Sequence, residues 1–573
     1  MKNFLKMVLA VICGILLLSA LTIAVFAGLA GSGSPSVPSE GVLKIDMSRI
    51  ALEEQGGPGD PMSKLQGGMN IATIGIWEAV QAVNAAAEDP GIKYIYLKTD
   101  GNASGIARCS ELRQALQNFR TNSGKAVAAY IEAPSTGSYY LASVADKVYM
   151  TKHPGATTTI VGVNTQMVFL GDLLKKLGVN VQLIRHGKYK SAGEMFTRSS
   201  ASPENREQYQ QMVDSMWETI ASEIASSRGI SVSSLNEAVD GLKLCLPQDF
   251  LDCGLVDELF DRSGLEQQLA TLAVAEDFKK VTMIPFADYV EAKVLPGTAR
   301  SKVAVIYANG NIVDGIQEQE VAGDRFASLI EKVREDKSVK AVVLRVNSPG
   351  GSVLASEKIK SELDRLGEEK PLVASYGEYA ASGGYWISNN CAKIYSDALT
   401  LTGSIGVFGM VPDLSKTASD VLHVGVETIS SNKHGDMFGL VRPFDQAEYN
   451  CMLRSIEDIY DRFTTIVSEG RELPKDRVDE IGQGRVWTGA DALGIGLVDE
   501  LGTLEDAVGY AASLAGLDDP ASWSVKAVPA PPTMMEALVS SINGPKEDYS
   551  VRIRKELSEP RILARMPYEL KFF

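Results

Sequence analysis

Two hydrophobic periods alternate along the chain. Short apolar runs, Ile92-Lys93-Tyr94-Ile95-Tyr96-Leu97 and Val339-Lys340-Ala341-Val342-Val343-Leu344, have the length and β-branched content of buried strands. Each follows a helix-like segment that ends in an acidic turn. After Pro349-Gly350-Gly351 the period changes: Ala355, Ile359, Leu363 and Leu366 fall on one face of a helix. A strand is expected at Leu372 to Ser375, then a short loop and another helix. Two longer stripes, Tyr209, Met212, Met216, Ile220 and Ile224, and Tyr449, Met452, Ile456, Phe463 and Val467, read as the core faces of two further helices. Alternating strands and helices predict an α/β fold.

The pattern occurs twice. Lys147-Val148-Tyr149 returns as Lys393-Ile394-Tyr395, and at the same spacing Thr136-Gly137-Ser138-Tyr139-Tyr140-Leu141 lies over Ser382-Gly383-Gly384-Tyr385-Trp386-Ile387. Further on, Gly254-Leu255-Val256-Asp257-Glu258-Leu259 returns as Gly496-Leu497-Val498-Asp499-Glu500-Leu501, a few residues closer. A slow drift of this kind reflects small insertions in a tandem duplication. The halves are placed at 42–300 and 301–545.

The ends differ from this plan. Lys2 and Lys6 precede an uncharged stretch from Met7 to about Ala30, which has the length of a membrane-spanning helix. It exceeds the apolar core of a cleaved signal, although small residues at Ala27 to Ala30 leave cleavage open. The flanking lysines would keep the N-terminus cytoplasmic and put the rest of the chain outside the cytoplasmic membrane. Residues 1–30 are therefore expected to be an N-terminal transmembrane anchor, and the Gly/Ser/Pro-rich residues 31–41 a flexible tether. The tail, 546–573, is basic from Val551 onward. It reads equally as a segment touching an anionic membrane or another subunit and as a solvated end.

Composition narrows the function. The chain of 573 residues is 45% hydrophobic and 22% charged, as expected of several globular domains. A formal net charge of −16 repels phosphate backbones and argues against nucleic-acid partners. Six cysteines show no zinc spacing and read as buried thiols, with a single disulfide left open. A phosphate-loop motif is absent, as is a dinucleotide-binding fingerprint, so no cofactor or metal is expected. Only four histidines are present, His153, His186, His423 and His434, and none lies in the glycine-rich segments where chemistry is expected.

Two such segments stand out. Asn347-Ser348-Pro349-Gly350-Gly351-Ser352 directly follows a buried strand, and its glycines let backbone N–H groups approach a ligand. Ala380-Ala381-Ser382-Gly383-Gly384-Tyr385-Trp386 places a serine among small residues at an expected loop-to-helix junction, exposing its hydroxyl or making it a helix cap. With Leu401-Thr402-Gly403-Ser404-Ile405-Gly406-Val407 and Gly187-Lys188-Tyr189-Lys190-Ser191-Ala192, these segments resemble the signal peptide peptidase, or protease IV, family of serine peptidases (S49) in its long, duplicated bacterial form. The resemblance covers both halves and implies a fold related to Clp protease and crotonase proteins. It implies a Ser/Lys dyad, with Ser382 as nucleophile, Lys190 as general base, Ser404 holding the lysine, and Gly351 and Gly383 as oxyanion-hole donors. It further implies remnant signal peptides as substrates and a homo-oligomer.

The residues themselves are consistent with those roles. A serine hydroxyl needs an adjacent base, and a lysine serves when desolvation lowers its pKa. The repeats also divide the set. The second half lacks three residues where Lys190 should recur, and Lys433 aligns better with Lys188. The first half has Thr136 at the nucleophile position and Ser104 at that of Gly351. One site built from both halves is expected, whether within one chain or between neighbours. The rival readings are an acyl-CoA enzyme of crotonase type and a non-catalytic membrane scaffold. His186 and His434, which flank the lysine segments, are rival bases.

Overall fold

The computed structural model describes residues 36–57, 71–102, 104–155, 158–532 and 562–566, together with Gly14 and Glu536. Each repeat is organised on a parallel sheet. In the first, the strands lie in the order Glu258–Phe260, Lys147–Thr151, Val127–Ile131, Ile92–Lys98, Gly41–Asp46, Met283–Pro285. In the second, the order is Glu500–Leu501, Ile394–Ser396, Leu372–Ala381, Val339–Ser348, Ser301–Asn309, Trp523–Val528. Six strands correspond in order, so the duplication read from short motifs extends across them, while the second sheet adds Leu401–Gly403 and Val486–Thr488 beside Leu372–Ala381. Strands covered on both faces have no solvent side, which is why 92–97 and 339–344 read as continuous apolar runs.

The helical stripes are where the period put them. Ala355, Ile359, Leu363 and Leu366 are the buried side of Val353–Glu369, and the methionine-rich stripe is the buried side of Pro203–Arg228. On Gln446–Arg471, Tyr449 is only partly buried while Met452, Ile456, Phe463 and Val467 are enclosed. The strand expected at 372–375 instead continues to Ala381 and delivers Ser382 with no loop between them. Of the described cysteines, Cys109 and Cys391 are buried as expected, but Cys245 and Cys451 are exposed; all five are unpaired.

A third sheet joins the repeats. Its strands run Val321–Ala322, Ile312–Val313, Gly350–Ser352, Ile562–Arg565, Val407–Asp413, Asn180–His186. The last two are antiparallel partners from different repeats, in register from Val407 opposite His186 to Asp413 opposite Asn180. The first repeat thus hands the residues after His186 to the second. The same sheet takes up part of the tail whose role the sequence left open: Ile562–Arg565 is a strand between Gly350–Ser352 and Val407–Asp413, and the Met566 N–H donates to Pro349 O at 2.7 Å. The apolar stretch 7–30 lies, but for Gly14, outside the described residues, and no helix among the described residues is long and apolar enough to cross a membrane.

A buried ionic joint reinforces the contact between repeats. Arg345, on a central strand of the second sheet, donates to Glu54 at 2.7 Å and to Glu111, both from the first repeat. It also donates to Ser375 Oγ at 2.8 Å and Tyr376 O at 3.0 Å, while Glu111 accepts the Leu504 N–H at 2.9 Å. All three charged side chains are buried. Removing one member of such a group leaves the others charged and unpaired. Arg345→Met is therefore expected to cost about 3–5 kcal/mol, read as a lowered midpoint of urea unfolding.

Candidate active site

Ser382 sits where a long strand turns abruptly into a short helix, Gly383–Trp386. Its backbone has φ +56° and ψ −111°, a conformation costing a non-glycine residue on the order of 1–3 kcal/mol. Two backbone hydrogen bonds hold it there: Ser382 N–H to Gly403 O and Trp386 N–H to Ser382 O, both 2.8 Å. A helix of one turn contributes little dipole. Anion stabilisation at this junction must therefore come from individual N–H groups.

Gly351 and Gly383 bring two such groups close together. A Cβ on Gly383 would lie 3.1 Å from the Gly351 nitrogen and 2.8 Å from Ser356 Oγ. A Cβ on Gly351 would lie 1.9 Å from Ile312 O. Neither position accepts a side chain, and the Gly351 nitrogen lies close against Gly383, the residue that follows Ser382.

Lys190 enters this volume from the first repeat, four residues beyond the Asn180–His186 strand that pairs with Val407–Asp413. Its Nζ donates to Ser382 Oγ at 2.7 Å, Ser404 Oγ at 2.9 Å and Ser404 O at 2.9 Å. Lys190, Ser382 and Ser404 are each fully buried. Ser404 adopts φ +52° and is fixed by donating its N–H to Arg485 O at 2.6 Å. All three acceptors are uncharged, and burial pushes the lysine pKa well below its ordinary value. A neutral amine in van der Waals contact with a hydroxyl can take its proton. The five residues proposed from the sequence thus converge, and they do so within a single chain.

The alternatives lie elsewhere. Thr136 Oγ1 donates to Gly162 O at 3.0 Å, and Ser104 Oγ accepts the Leu52 N–H at 2.9 Å. His186 stacks on Tyr460 with ring centroids 4.0 Å apart, and Lys433 is exposed. His434 shares Glu448 with Arg442. With Asp445, these two residues form a cluster that has metal-ligand types, but the guanidinium already supplies its positive charge.

The sequence profile of peptidase family S49 matches the chain twice, over residues 120–276 and 364–518. Protease 4 of Haemophilus influenzae is 34% identical over 84% of this chain and 80% of its own. Protease 4 of Salmonella typhi is 36% identical over 82% and 76%. The chloroplastic serine protease SPPA of Arabidopsis thaliana is 31% identical over 80% and 68%. The chain belongs to peptidase family S49. It is a serine-type endopeptidase with a tandem duplication. Among solved structures, a ClpP1 mutant of Listeria monocytogenes aligns over 36% of this chain and 94% of its own, at 13% identity and a TM-score of 0.24. The first S49 match contains Lys190 and the second contains Ser382 and Ser404, while Gly351 precedes the second.

Sequence reasoning missed the residues that seat the lysine in this S49 peptidase. Gly484, at φ +84°, packs so closely that a Cβ on it would lie 2.5 Å from Lys190 Cβ and 2.6 Å from Lys190 N. Gly406 leaves room for the lysine stem, since its Cβ would lie 3.3 Å from Lys190 Cδ. Gln208 donates to Tyr189 O and Ser191 Oγ, both 3.0 Å, and accepts the Val486 N–H at 3.3 Å, fastening the segment on either side of Lys190 to the second repeat. Arg185 donates to Lys190 O at 2.9 Å and to buried Glu194 at 3.2 Å. The available signal was the Gly482-Gln483-Gly484 run, whose glycines announce a close backbone approach but not to what.

Gly484→Ala is expected to displace Lys190 and lower kcat/KM about 100-fold with the fold retained, measured by peptide hydrolysis alongside circular dichroism. Burial of the amine also has a stability signature. From about pH 10.4 downward, toward the lowered folded value, the unfolded chain takes up a proton that the folded chain does not, so folded stability falls with pH across that window. Lys190→Met removes this loss. Its thermal midpoint should exceed that of the parent at neutral pH, with the difference shrinking as pH is raised to the ordinary lysine range.

Proposed function

We propose that this S49 peptidase uses a Ser/Lys dyad, Ser382 and Lys190, to hydrolyse membrane-derived peptides such as remnant signal peptides. The observation that carries the reading is the 2.7 Å contact between a desolvated amine and a serine hydroxyl, with the two glycine amides alongside. Neutral Lys190 accepts the Ser382 proton as Oγ attacks the peptide carbonyl. The developing oxyanion is held by the N–H groups of Gly351 and Gly383, each worth about 3–4 kcal/mol by analogy with other oxyanion holes. Protonated Lys190 then delivers its proton to the leaving nitrogen, and a water repeats the cycle to free the acyl group. Ser404 keeps the amine aimed at Ser382 through both of its oxygens.

The substrate class follows from several features together. The segment Gly350–Ser352 carries one of the two glycine amides and Val407–Asp413 begins three residues after Ser404, and a peptide pairing with them would bind extended, through its backbone. Small, apolar side chains suit so enclosed a site. A relative from Enterococcus faecium, 32% identical over 39% of this chain and 66% of its own, is named a putative signal peptide peptidase SppA. The apolar stretch 7–30 would anchor repeats 42–300 and 301–545 to the outer face of the cytoplasmic membrane through tether 31–41, close to such peptides, as a homo-oligomer.

Hydrolysis of a peptide combining an apolar run with small residues, followed across pH 7–10, tests the mechanism. The rate should rise with pH as Lys190 loses its proton, with its ascending limb below the range of an ordinary lysine. Ser382→Ala and Lys190→Ala should each reduce kcat by at least about 1,000-fold. A fluorophosphonate should label Ser382 in the parent and not in Lys190→Ala. Equal labelling of both proteins, or a limb at the ordinary lysine value, would rule out Lys190 as the base.

A further inference from the structure

Arg485 meets the supports of Lys190, Ser404 and Ser382 at once. Its N–H donates to Gly482 O at 2.9 Å and its carbonyl accepts the Ser404 N–H at 2.6 Å, so its backbone fixes the serine that holds the lysine. Its guanidinium reaches the other way. The Cζ lies 4.6 Å from the centroid of the Tyr189 ring and 4.6 Å from that of Trp487. Nη1 donates to Tyr189 Oη at 3.1 Å and pairs with Glu207 at the same distance, and Nη2 donates to Gln211. Tyr189 directly precedes Lys190, is buried, and donates its own N–H to Gln483 O at 3.0 Å. Trp487 donates its indole N–H to Ile481 O at 3.0 Å, and a Cβ on Gly403 would lie 2.9 Å from its ring. Gly403 O is the acceptor that holds the Ser382 N–H. Glu207 and Gln211 belong to the first-repeat helix Pro203–Arg228, so this clasp crosses between repeats, as the dyad does. Arg485 Nε is buried without a hydrogen bond among the described residues. The guanidinium leaves that donor unpaired while lying over two rings, so ring contact and the bond to Tyr189 decide its place.

We propose that Arg485 is a positioning residue for peptide-bond hydrolysis: it couples the seat of Lys190 to the seats of Ser404 and Ser382, and so sets the separation of amine and hydroxyl. This rests on the Ser/Lys reading of the site. Arg485 bonds to no reacting atom, and its charge is met by Glu207. What it supplies is geometry. The contact from Lys190 Nζ to Ser382 Oγ spans two repeats, and a proton passes only within hydrogen-bond reach. Tyr189 and Ser404 lie on different repeats, and Arg485 bonds to both. Lysine cannot replace it. An ammonium has no plane to lay over two rings, and it cannot hold Tyr189 Oη and Gln211 in a fixed fork. With the guanidinium gone, the carbonyl of residue 485 still accepts from Ser404, but Tyr189 is released, and Lys190 moves away from Ser382 and toward water.

Steady-state hydrolysis of an apolar peptide by the full chain, Arg485→Lys, Tyr189→Phe, the double variant and Lys190→Ala, followed across about pH 7–10, tests the proposal. Arg485→Lys should lower kcat about 30-fold with KM within about twofold of the parent, because alignment is lost and binding is not. Its ascending limb should move up toward the ordinary lysine range as the displaced amine regains water. Tyr189→Phe should lower kcat about fivefold, and the double variant should be no slower than Arg485→Lys, since both changes break one clasp. Circular dichroism reports the folded fraction of each protein. Parent kcat and limb in folded Arg485→Lys overturn the proposal, as does a loss confined to KM or full additivity of the two changes. Where Arg485→Lys fails to fold, Tyr189→Phe decides: parent kcat and limb there overturn the clasp. Lys190→Ala separates the two readings. Hydrolysis by it at the parent rate overturns the dyad itself, whereas an inactive Lys190→Ala beside a parent-like Arg485→Lys overturns only the role of Arg485.

Discussion

The site depends on keeping one amine away from water. Lys190 is enclosed with three uncharged oxygens and, among the described residues, no carboxylate partner, so burial favours its neutral form. That cost must be met by the surrounding structure, and the surroundings explain several otherwise odd residues. Gly484 and Gly406 let the second repeat close onto the lysine stem, Gln208 ties down the chain on either side, and Ser404 is held in a left-handed conformation by its bond to Arg485 O. Strain at Ser382 belongs to the same arrangement: the turn at its φ of +56° is where the strand, the hydroxyl and the Gly383 amide meet.

Duplication explains why the site is divided. Both repeats share six strands in the same order, but each carries a different part of the proposed dyad. The first has Thr136 and Ser104, whose side chains make ordinary local hydrogen bonds. The second has no counterpart to Lys190 near Ser382. Pairing of Asn180–His186 with Val407–Asp413 brings the two remainders together, and the buried contacts of Arg345 with Glu54 and Glu111 fix the relative placement of the sheets. The crotonase-type and scaffold readings lose their support because the chain belongs to peptidase family S49.

Much of this was legible in sequence because it is local or repeated. Continuous apolar runs marked strands covered on both faces, and the stripe at Ala355, Ile359, Leu363 and Leu366 marked a helix, because side-chain period depends on backbone geometry. Lys190 and Ser382 were legible through short motifs and through what each repeat lacks. Gly484 and Gln208 were not, since their roles arise from contacts between distant segments. The junction at Ser382 was misread as a loop because small residues there suit a tight turn and a strand end equally. The place of Ile562–Arg565 was not legible because charge dominates the composition of the tail, whereas that placement follows from the few residues Leu563, Ala564 and Met566 that fit between two strand edges.

Splitting the proposed dyad between repeats has a consequence during synthesis. Lys190 and Ser382 are 192 positions apart, and the strand that docks the lysine segment, Val407–Asp413, is made later still. A growing polypeptide therefore carries an amine with no hydroxyl to activate, then a hydroxyl whose partner has not yet been seated. Under the proposed chemistry, the translation machinery handles an inert protein, and destructive capacity appears only when the later repeat folds back upon the earlier one.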